Sequence, residues 1–464
     1  MKVLFVASEC TPIAKVGGLG DVIGSLPKAL RELGVDVRIC LPKYQIIDEK
    51  KYHFHQVASK VKVKEEFINI YQGFLPESRV PIYLLENEKY FGENGVYHGL
   101  FSFKGIKRFL FFSKVVLEIF STFEWSPQII HCHEWHTAIL PLLAKIKRLK
   151  IKTLLTIHNL LIQGKWNPKE ILSFLNLKEN EIGSLKVRDR DNDFNILQQG
   201  ILNADLINTV SPTYTKEILT NEYGEGLEES LIKRKKELFG ILNGIDEKRF
   251  NPGTDPDLKI NYSHQNLERK IENKIHLQEI LNFKKNPEIP LFGFISRLTS
   301  QKGIDLIIEI ILELIKMGCQ LVILGVGSPG YEKKLLELSQ KYPRNISVQI
   351  KFDPVLAQKI YGGADIFLMP SKFEPCGLGQ MIAMRYGTIP IARKTGGLTD
   401  TIEDGKTGFL FKEYKVEAFL KTIKKALNLY QNKEEWQKLI REAMKKDFSW
   451  ALSAKEYLKL YKNY

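Results

Sequence analysis

Short, continuous apolar runs alternate along this chain with longer segments that repeat apolar residues every three or four positions. The runs Val3–Ala7, Asp36–Leu41, Pro81–Leu85, Gln128–His131, Thr153–Ile157 and Leu206–Val210 have the length and composition of strands. The segments Asp21–Leu33, Lys107–Phe120, Thr137–Leu149, Asn195–Leu202 and Thr213–Glu222 between them predict helices. A strand with one wet face alternates apolar and polar residues. These strands do not, so they are expected to be parallel and covered by helices on both faces. The pattern lapses over residues 250–288, which carry Pro252, Pro256 and Pro287 and few apolar runs, and this stretch reads as a crossing between domains. It resumes with strands Leu291–Ile295, Gln320–Leu324, Ile346–Lys351, Ile366–Met369 and Ile389–Ala392 and helices Ile304–Met317 and Gly377–Tyr386. Helices Val416–Gln431, Glu434–Met444 and Ala451–Tyr461 close the chain. Two doubly wound α/β halves follow from this order, with no tandem repeat between them.

Composition narrows the classes. A length of 464 residues suits two to three domains, and 44% hydrophobic with 26% charged residues is ordinary for a globular protein. The five cysteines are widely spaced with no CxxC, so neither a disulfide framework nor a zinc ribbon is expected, and a reducing cytoplasm is the simplest compartment. The longest apolar stretch, Phe109–Phe120, is broken by Lys114 and Glu118, and the apolar run after Lys2 is too short for a secretory signal, so no membrane partner is expected. Lys plus Arg minus Asp plus Glu is 68 − 54 = +14, which implies attraction to anions. The basic residues are spread along the chain and interleaved with acids, whereas a nucleic-acid partner needs them clustered with exposed aromatics.

Ligands of doubly wound sheets sit beyond the carboxyl ends of the strands, and four constellations fall there. Lys15-Val16-Gly17-Gly18-Leu19-Gly20-Asp21 joins the first strand to the first helix; its glycines let a phosphate or sugar approach the backbone, and Asp21 is placed to cap the helix. His131-Cys132-His133-Glu134-Trp135-His136 closes a strand, and His158-Asn159 closes the next, so neighbouring strands present histidines on one rim. The histidines lack the i, i+4 pairing of a zinc helix, which favours a polar strand-end cluster over a metal. Ser296–Gly303 brings Arg297 and Lys302 to a helix start, a fork donor and a point charge suited to a diphosphate. Phe373-Glu374-Pro375-Cys376-Gly377-Leu378-Gly379 offers a carboxylate for sugar hydroxyls and backbone N–H groups for an anion. Gly325-Val326-Gly327-Ser328-Pro329-Gly330 formally matches GxGxxG, but Pro329 within the turn argues against a dinucleotide site.

Together these segments resemble the bacterial glycogen synthases and plant starch synthases. Lys15–Asp21 is similar to their Lys-x-Gly-Gly-Leu signature, and His131–Thr137 to their His-Asp-Trp segment. Thr156–Asn159, Ser211–Tyr214, Leu242–Asp246, Ser296–Gly303, Phe373–Gly377, Thr395–Leu398 and Asp447–Trp450 follow in family order, so the resemblance runs from residue 1 to beyond 450.

The resemblance implies the GT-B fold, two Rossmann-like domains facing across a cleft. An N-terminal domain over 1–248 would take the acceptor side. A C-terminal domain over 249–446, including the crossing at 249–288, would take the nucleotide-sugar side, and a last helix in 447–464 would return to the first domain. The implied reaction is retaining transfer of glucose from ADP-glucose to the non-reducing-end 4-hydroxyl of an α-1,4-glucan, releasing ADP and requiring no metal. By the same resemblance, Arg297 and Lys302 clamp the diphosphate, Glu374 holds glucose hydroxyls, and the His158 carbonyl faces the reacting carbon. Lys15, Gly17, Gly18, Asn243, Cys376, Gly377 and Leu378 would contact the donor, with Asp21, Tyr97 and Glu134 on the acceptor side. Glu134 stands where the family has Asp, and Lys351-Phe352-Asp353-Pro354 departs from its Gly-Tyr pattern near the base. A non-catalytic glucan- or nucleotide-binding homologue would need a lost clamp residue, and Lys15, His158, Arg297, Lys302 and Glu374 are all present.

Overall fold

The computed structural model describes residues 1–93, 95–99, 101–120, 125–182 and 192–463. The chain forms two compact units, Met1–Gly244 with Trp450–Tyr464, and Ile245–Ser449. The expected boundaries after 248 and 446 therefore move to 244 and 449. The reason is local: the Ile245 amide donates to the Phe448 carbonyl at 2.8 Å, and Ile245 bridges Ser449, so the two connecting segments belong to the second unit.

In the first unit the strands are β1 (Lys2–Val6), β2 (Asp36–Pro42), β3 (His55–Val63), β4 (Glu66–Phe74), β5 (Pro81–Glu86), β6 (Ile129–His133), β7 (Lys152–Ile157), β8 (Lys165–Trp166), β9 (Phe194–Asn195), β10 (Leu206–Thr209) and β11 (Leu238–Gly240). Nine of them form one sheet in the order β11-β10-β7-β6-β1-β2-β5-β4-β3, while β8 and β9 pair separately. All its pairings are parallel except those of β4 with β3 and β5. Successive residues of β1 explain the unbroken apolar run: Leu4 and Val6 enter the core on one face, Val3 and Phe5 that on the other. The strands β3 and β4 escape the run criterion because most of their side chains are exposed or half-exposed.

The second unit contains β12 (Leu291–Ile295), β13 (Gln320–Leu324), β14 (Ile346–Gln349), β15 (Ile366–Met369), β16 (Ile389–Arg393) and β17 (Phe409–Phe411). They form an all-parallel sheet, β14-β13-β12-β15-β16-β17. Residues 250–288 are not a mere crossing. They hold the helix Lys270–Ile280, whose buried face is made of Lys270, Asn273, Lys274, Leu277 and Gln278. A helix that buries polar side chains has no apolar stripe to read. Lys270 donates to the Gly362 carbonyl at 2.8 Å and Thr388 Oγ1 at 2.9 Å, and burial pulls its ammonium down to about 7. The helix Pro329–Lys341 also lacks a stripe, since Leu335 alone is buried.

In each sheet the chain winds outward from a central strand, returns, and winds the other way. The reversal lies between β1 and β6 in the first sheet and between β12 and β15 in the second. Loops leaving adjacent strands there diverge and open a crevice, the usual ligand position in such sheets.

Candidate active site

At the first reversal, the loop after β1 carries Glu9, which sequence reading passed over. Glu9 is buried, and its Oε2 accepts the amides of Val16 at 2.7 Å and Gly17 at 2.6 Å. Tyr97 donates its hydroxyl to the other oxygen, Oε1. The Gly17 amide expected to face a ligand is thus already used, while Gly18 keeps open space around its α-carbon. Asp21 is not a helix cap. The helix Gly18–Glu32 begins after Gly17, and Asp21, in its first turn, pairs with the exposed Lys15 at 2.6 Å. Nothing in the local sequence marks Glu9, because its partner Tyr97 is distant along the chain.

The loop after β6 turns through Glu134 in a left-handed conformation (φ 63°). Its buried Oε1 accepts the amides of His158 and Asn159, the latter at 2.9 Å, so it ties the end of β6 to the end of β7. Burial, with a smaller contribution from Glu9, pushes the Glu134 carboxyl up to about 8 despite those two amides. His133 closes β6 with Nδ1 3.1 Å from Nε2 of His158, so the expected rim of neighbouring histidines exists. Asn243, which follows β11, is buried, its Oδ1 lacking a hydrogen-bond partner among the described residues.

Burial lowers the imidazoles of His131, His133, His136 and His158 from 6.5, to about 3 for His136 and His158. The folded chain holds these rings neutral while the unfolded chain binds protons below about pH 6.5. Their stabilisation is present above that pH and is lost as pH falls towards the folded values. The thermal midpoint is therefore expected to fall as pH drops below 6.5, and less steeply in His136→Phe. Equal slopes in scanning calorimetry would contradict this.

At the second reversal, the loop after β12 carries Arg297 and Lys302, and the loop after β15 carries Ser371 and Glu374. Lys302 Nζ lies 2.6 Å from Glu374 Oε2, and Ser371 donates to the same oxygen at 3.0 Å. The pair is largely enclosed, with side chains 17% and 7% exposed, whereas Arg297 is exposed and among the described residues reaches only Gln301 Oε1, at 3.5 Å. Glu374 does not cap a helix, and the expected helix start at Gly377 shifts to Gly379. Gly377 itself is left-handed (φ 74°), so the 376–378 turn precedes the helix, with Cys376 buried and Gly377 and Leu378 half-exposed. The Thr395-Gly396-Gly397 segment braces this turn: a Cβ on Gly396 would strike the Glu374 carbonyl, and one on Gly397 that of Cys376. The apparent GxGxxG has a similar task, since Gly325 and Gly327 press against the backbone of Ser296 and Leu298 and back the loop of Arg297. Asp353 caps the helix Pro354–Gly363 through the Leu356 amide at 2.8 Å and pairs with Lys351 at 2.9 Å, leaving the Phe352 ring 80% exposed. Among the described residues no three His, Cys, Asp or Glu side chains are grouped to hold a metal, and no helix is long and apolar enough to cross a membrane.

Residues 2–233 match the starch synthase catalytic domain model, and residues 277–446 match the model of glycosyl transferases group 1. A glycogen synthase of Thermotoga petrophila is 44% identical over 100% of this chain and 98% of its own. The chain belongs to the glycogen and starch synthase family of glycosyltransferases. Another family member, the glycogen synthase of Lactobacillus acidophilus, is 43% identical over 99% of each chain. The catalytic domain of starch synthase IV from Arabidopsis thaliana, solved bound to ADP and acarbose, superposes with a TM-score of 0.90 at 34% identity, covering 100% of this chain and 99% of that one. Sucrose-phosphate synthase from Thermosynechococcus elongatus, at 16% identity and a TM-score of 0.63 over 100% of this chain and 98% of its own, shares the fold. Membership makes this chain a GT-B glucosyltransferase that extends glucan chains.

Proposed function

We propose that the protein transfers glucose from ADP-glucose, with retention, to the non-reducing-end 4-hydroxyl of an α-1,4-glucan and releases ADP. The observation that carries the reading is the enclosed Lys302–Glu374 pair at the second reversal, with the exposed Arg297 on the same loop as Lys302. Two cations and one carboxylate at the ends of adjacent strands suit the two halves of a sugar diphosphate. The ADP bound to the Arabidopsis starch synthase supports an adenine nucleotide.

Breaking the sugar–phosphate bond builds negative charge on the diphosphate and positive charge on the glucose ring. Arg297 and Lys302 neutralise the first, the work a metal ion does elsewhere, and no metal is assigned. The Gly377 and Leu378 amides, in the turn that follows Glu374 and Cys376, add donors to the same phosphates. Glu374, oriented by Lys302 and Ser371, accepts from glucose hydroxyls. Lys15 and the open backbone at Gly18 serve the donor once Lys15 exchanges Asp21 for phosphate, and the unpaired Oδ1 of Asn243 accepts a further hydrogen bond. The His158 carbonyl faces the developing cation. Tyr97, Glu134 and Asp21 serve the acceptor. No carboxylate is assigned as nucleophile, so the reaction runs on one face of the sugar.

The test is radiolabelled transfer to glycogen from ADP-glucose and UDP-glucose in parallel, with and without EDTA. ADP-glucose is expected to be the better donor, and EDTA to leave the rate unchanged. Binding of glycogen without transfer would favour a binding protein, and abolition by EDTA would sink the metal-free mechanism.

A further inference from the structure

Behind His158 lies a buried polar chain that the roles above do not use. His131 on β6 is fully enclosed, with Nδ1 2.8 Å from the Tyr461 hydroxyl and Nε2 2.6 Å from Thr156 Oγ1 on β7. Asn208 on β10 donates to the Tyr457 hydroxyl at 2.8 Å and to Thr156 Oγ1 at 3.4 Å. Tyr457 and Tyr461 both lie on the last helix, Trp450–Lys462. The His131 and His133 rings pack with centroids 4.1 Å apart, and Phe5 lies against both. His133 Nδ1 then meets His158 Nε2 at 3.1 Å. This hydrogen bond and the two amides held by Glu134 grip His158 by its ring and by its backbone.

We propose that His133, and behind it Tyr461, are positioning residues for His158, so that the C-terminal helix is part of the machinery that sets the reacting strand end. The physical reason is that polar groups buried without water keep a hydrogen-bonding arrangement that satisfies them, and few do. His131 has hydroxyls on both nitrogens, which fixes its ring plane. His133 packs against that ring at a 31° tilt, is stacked on its other neighbour Phe5, and has no described partner at Nε2, so its bond to His158 is the polar contact that sets its ring rotation. A ring held this way keeps the His158 segment in place without loop rearrangement during reaction. Errors of about 1 Å in such placement cost on the order of 100-fold in rate.

The inference rests on the assignment of His158 above, and the experiment separates the two. His133→Phe, His133→Asn, Tyr461→Phe and His158→Ala are assayed for kcat and for the KM of ADP-glucose and of glycogen, with thermal midpoints. His133→Phe keeps the ring packing and removes the hydrogen bond. It is expected to lower kcat by roughly 10- to 100-fold with both KM values little changed. His133→Asn, whose amide takes the place of Nδ1, is expected to recover most of that loss. Tyr461→Phe is expected to lower kcat by about threefold with KM again unchanged, and it serves as the test if His133→Phe does not fold. Wild-type kcat in His133→Phe or Tyr461→Phe, no recovery in His133→Asn, or a loss seen only in KM overturns the inference. His158→Ala keeps the backbone carbonyl assigned above and loses only the ring that His133 holds, so wild-type kcat there overturns the positioning role alone, whereas no glucosyl transfer from ADP-glucose by the wild-type protein overturns the reading on which the inference rests.

Discussion

Lys302→Ala and Glu374→Ala are each expected to reduce glucosyl transfer by about 100- to 1,000-fold, the range seen when one preorganised electrostatic contact to a transition state is removed. Lys302 is the more instructive of the two, because its ammonium is shared. It holds Glu374 at 2.6 Å and has donors left for a phosphate. Its removal takes a positive charge from the proposed phosphate contact and leaves Ser371 as the one side-chain hydrogen-bond donor to the Glu374 carboxylate among the described residues. Glu374→Ala removes the proposed sugar contact and frees the Lys302 ammonium from its pair, to turn towards the proposed phosphate. The effects are therefore expected to be strongly non-additive, with the double variant little worse than the worse single one. Thermal midpoints close to wild type would place the loss in the site. Near-normal turnover in both single variants would sink the assignment, and strict additivity would show that the pair does not act as a unit.

The largest loss of stability is expected far from the chemistry, from Asp365→Ala. Asp365 opens β15, and Oδ2 lies 2.7 Å from Lys274 Nζ, with side chains 13% and 4% exposed. The same oxygen accepts the Leu291 amide at the start of β12 at 2.8 Å. Alanine leaves the ammonium enclosed with, among the described residues, only the Pro287 carbonyl and the Tyr430 hydroxyl as hydrogen-bond partners. Breaking one side of a buried ion pair costs about 3–5 kcal/mol, because the partner remains charged in a poor solvent. Replacing both partners, as in Lys274→Met with Asp365→Leu, is expected to recover much of that loss, and chemical denaturation of the three proteins measures it. A single variant within about 1 kcal/mol of wild type would contradict the burial argument.

Much of this protein is legible along the chain. Strands Leu291–Ile295, Gln320–Leu324 and Ile366–Met369 and helix Val416–Gln431 coincide with their expected limits, because a doubly covered strand must be apolar throughout and an amphipathic helix must repeat its stripe. The helix Lys270–Ile280 was not legible. Its inward Lys270 and Lys274 are solvated by carbonyls and hydroxyls and by a carboxylate distant in sequence, so periodicity pointed to a polar crossing. The site divides in the same way. Arg297, Lys302 and Glu374 follow strands and stand out as charges near glycines, and His158 stands out as a polar residue closing an apolar strand. Glu9 has no such marker, and the position of Asp21 at a helix start suggests a cap, whereas its pairing with Lys15 depends on how the loop folds.

The sequence by itself determined the fold class, the family and the residue types offered to a ligand, since these depend on local pattern and on side chains placed just after strands. Only the tertiary structure decided what those side chains already hold. It gave the Gly17 amide to Glu9, Lys302 to Glu374, Asp21 to Lys15 and the His158 ring to His133. A hydrogen bond made across a folded loop or between distant strands leaves no local trace, because its partners meet only in the geometry that folding creates.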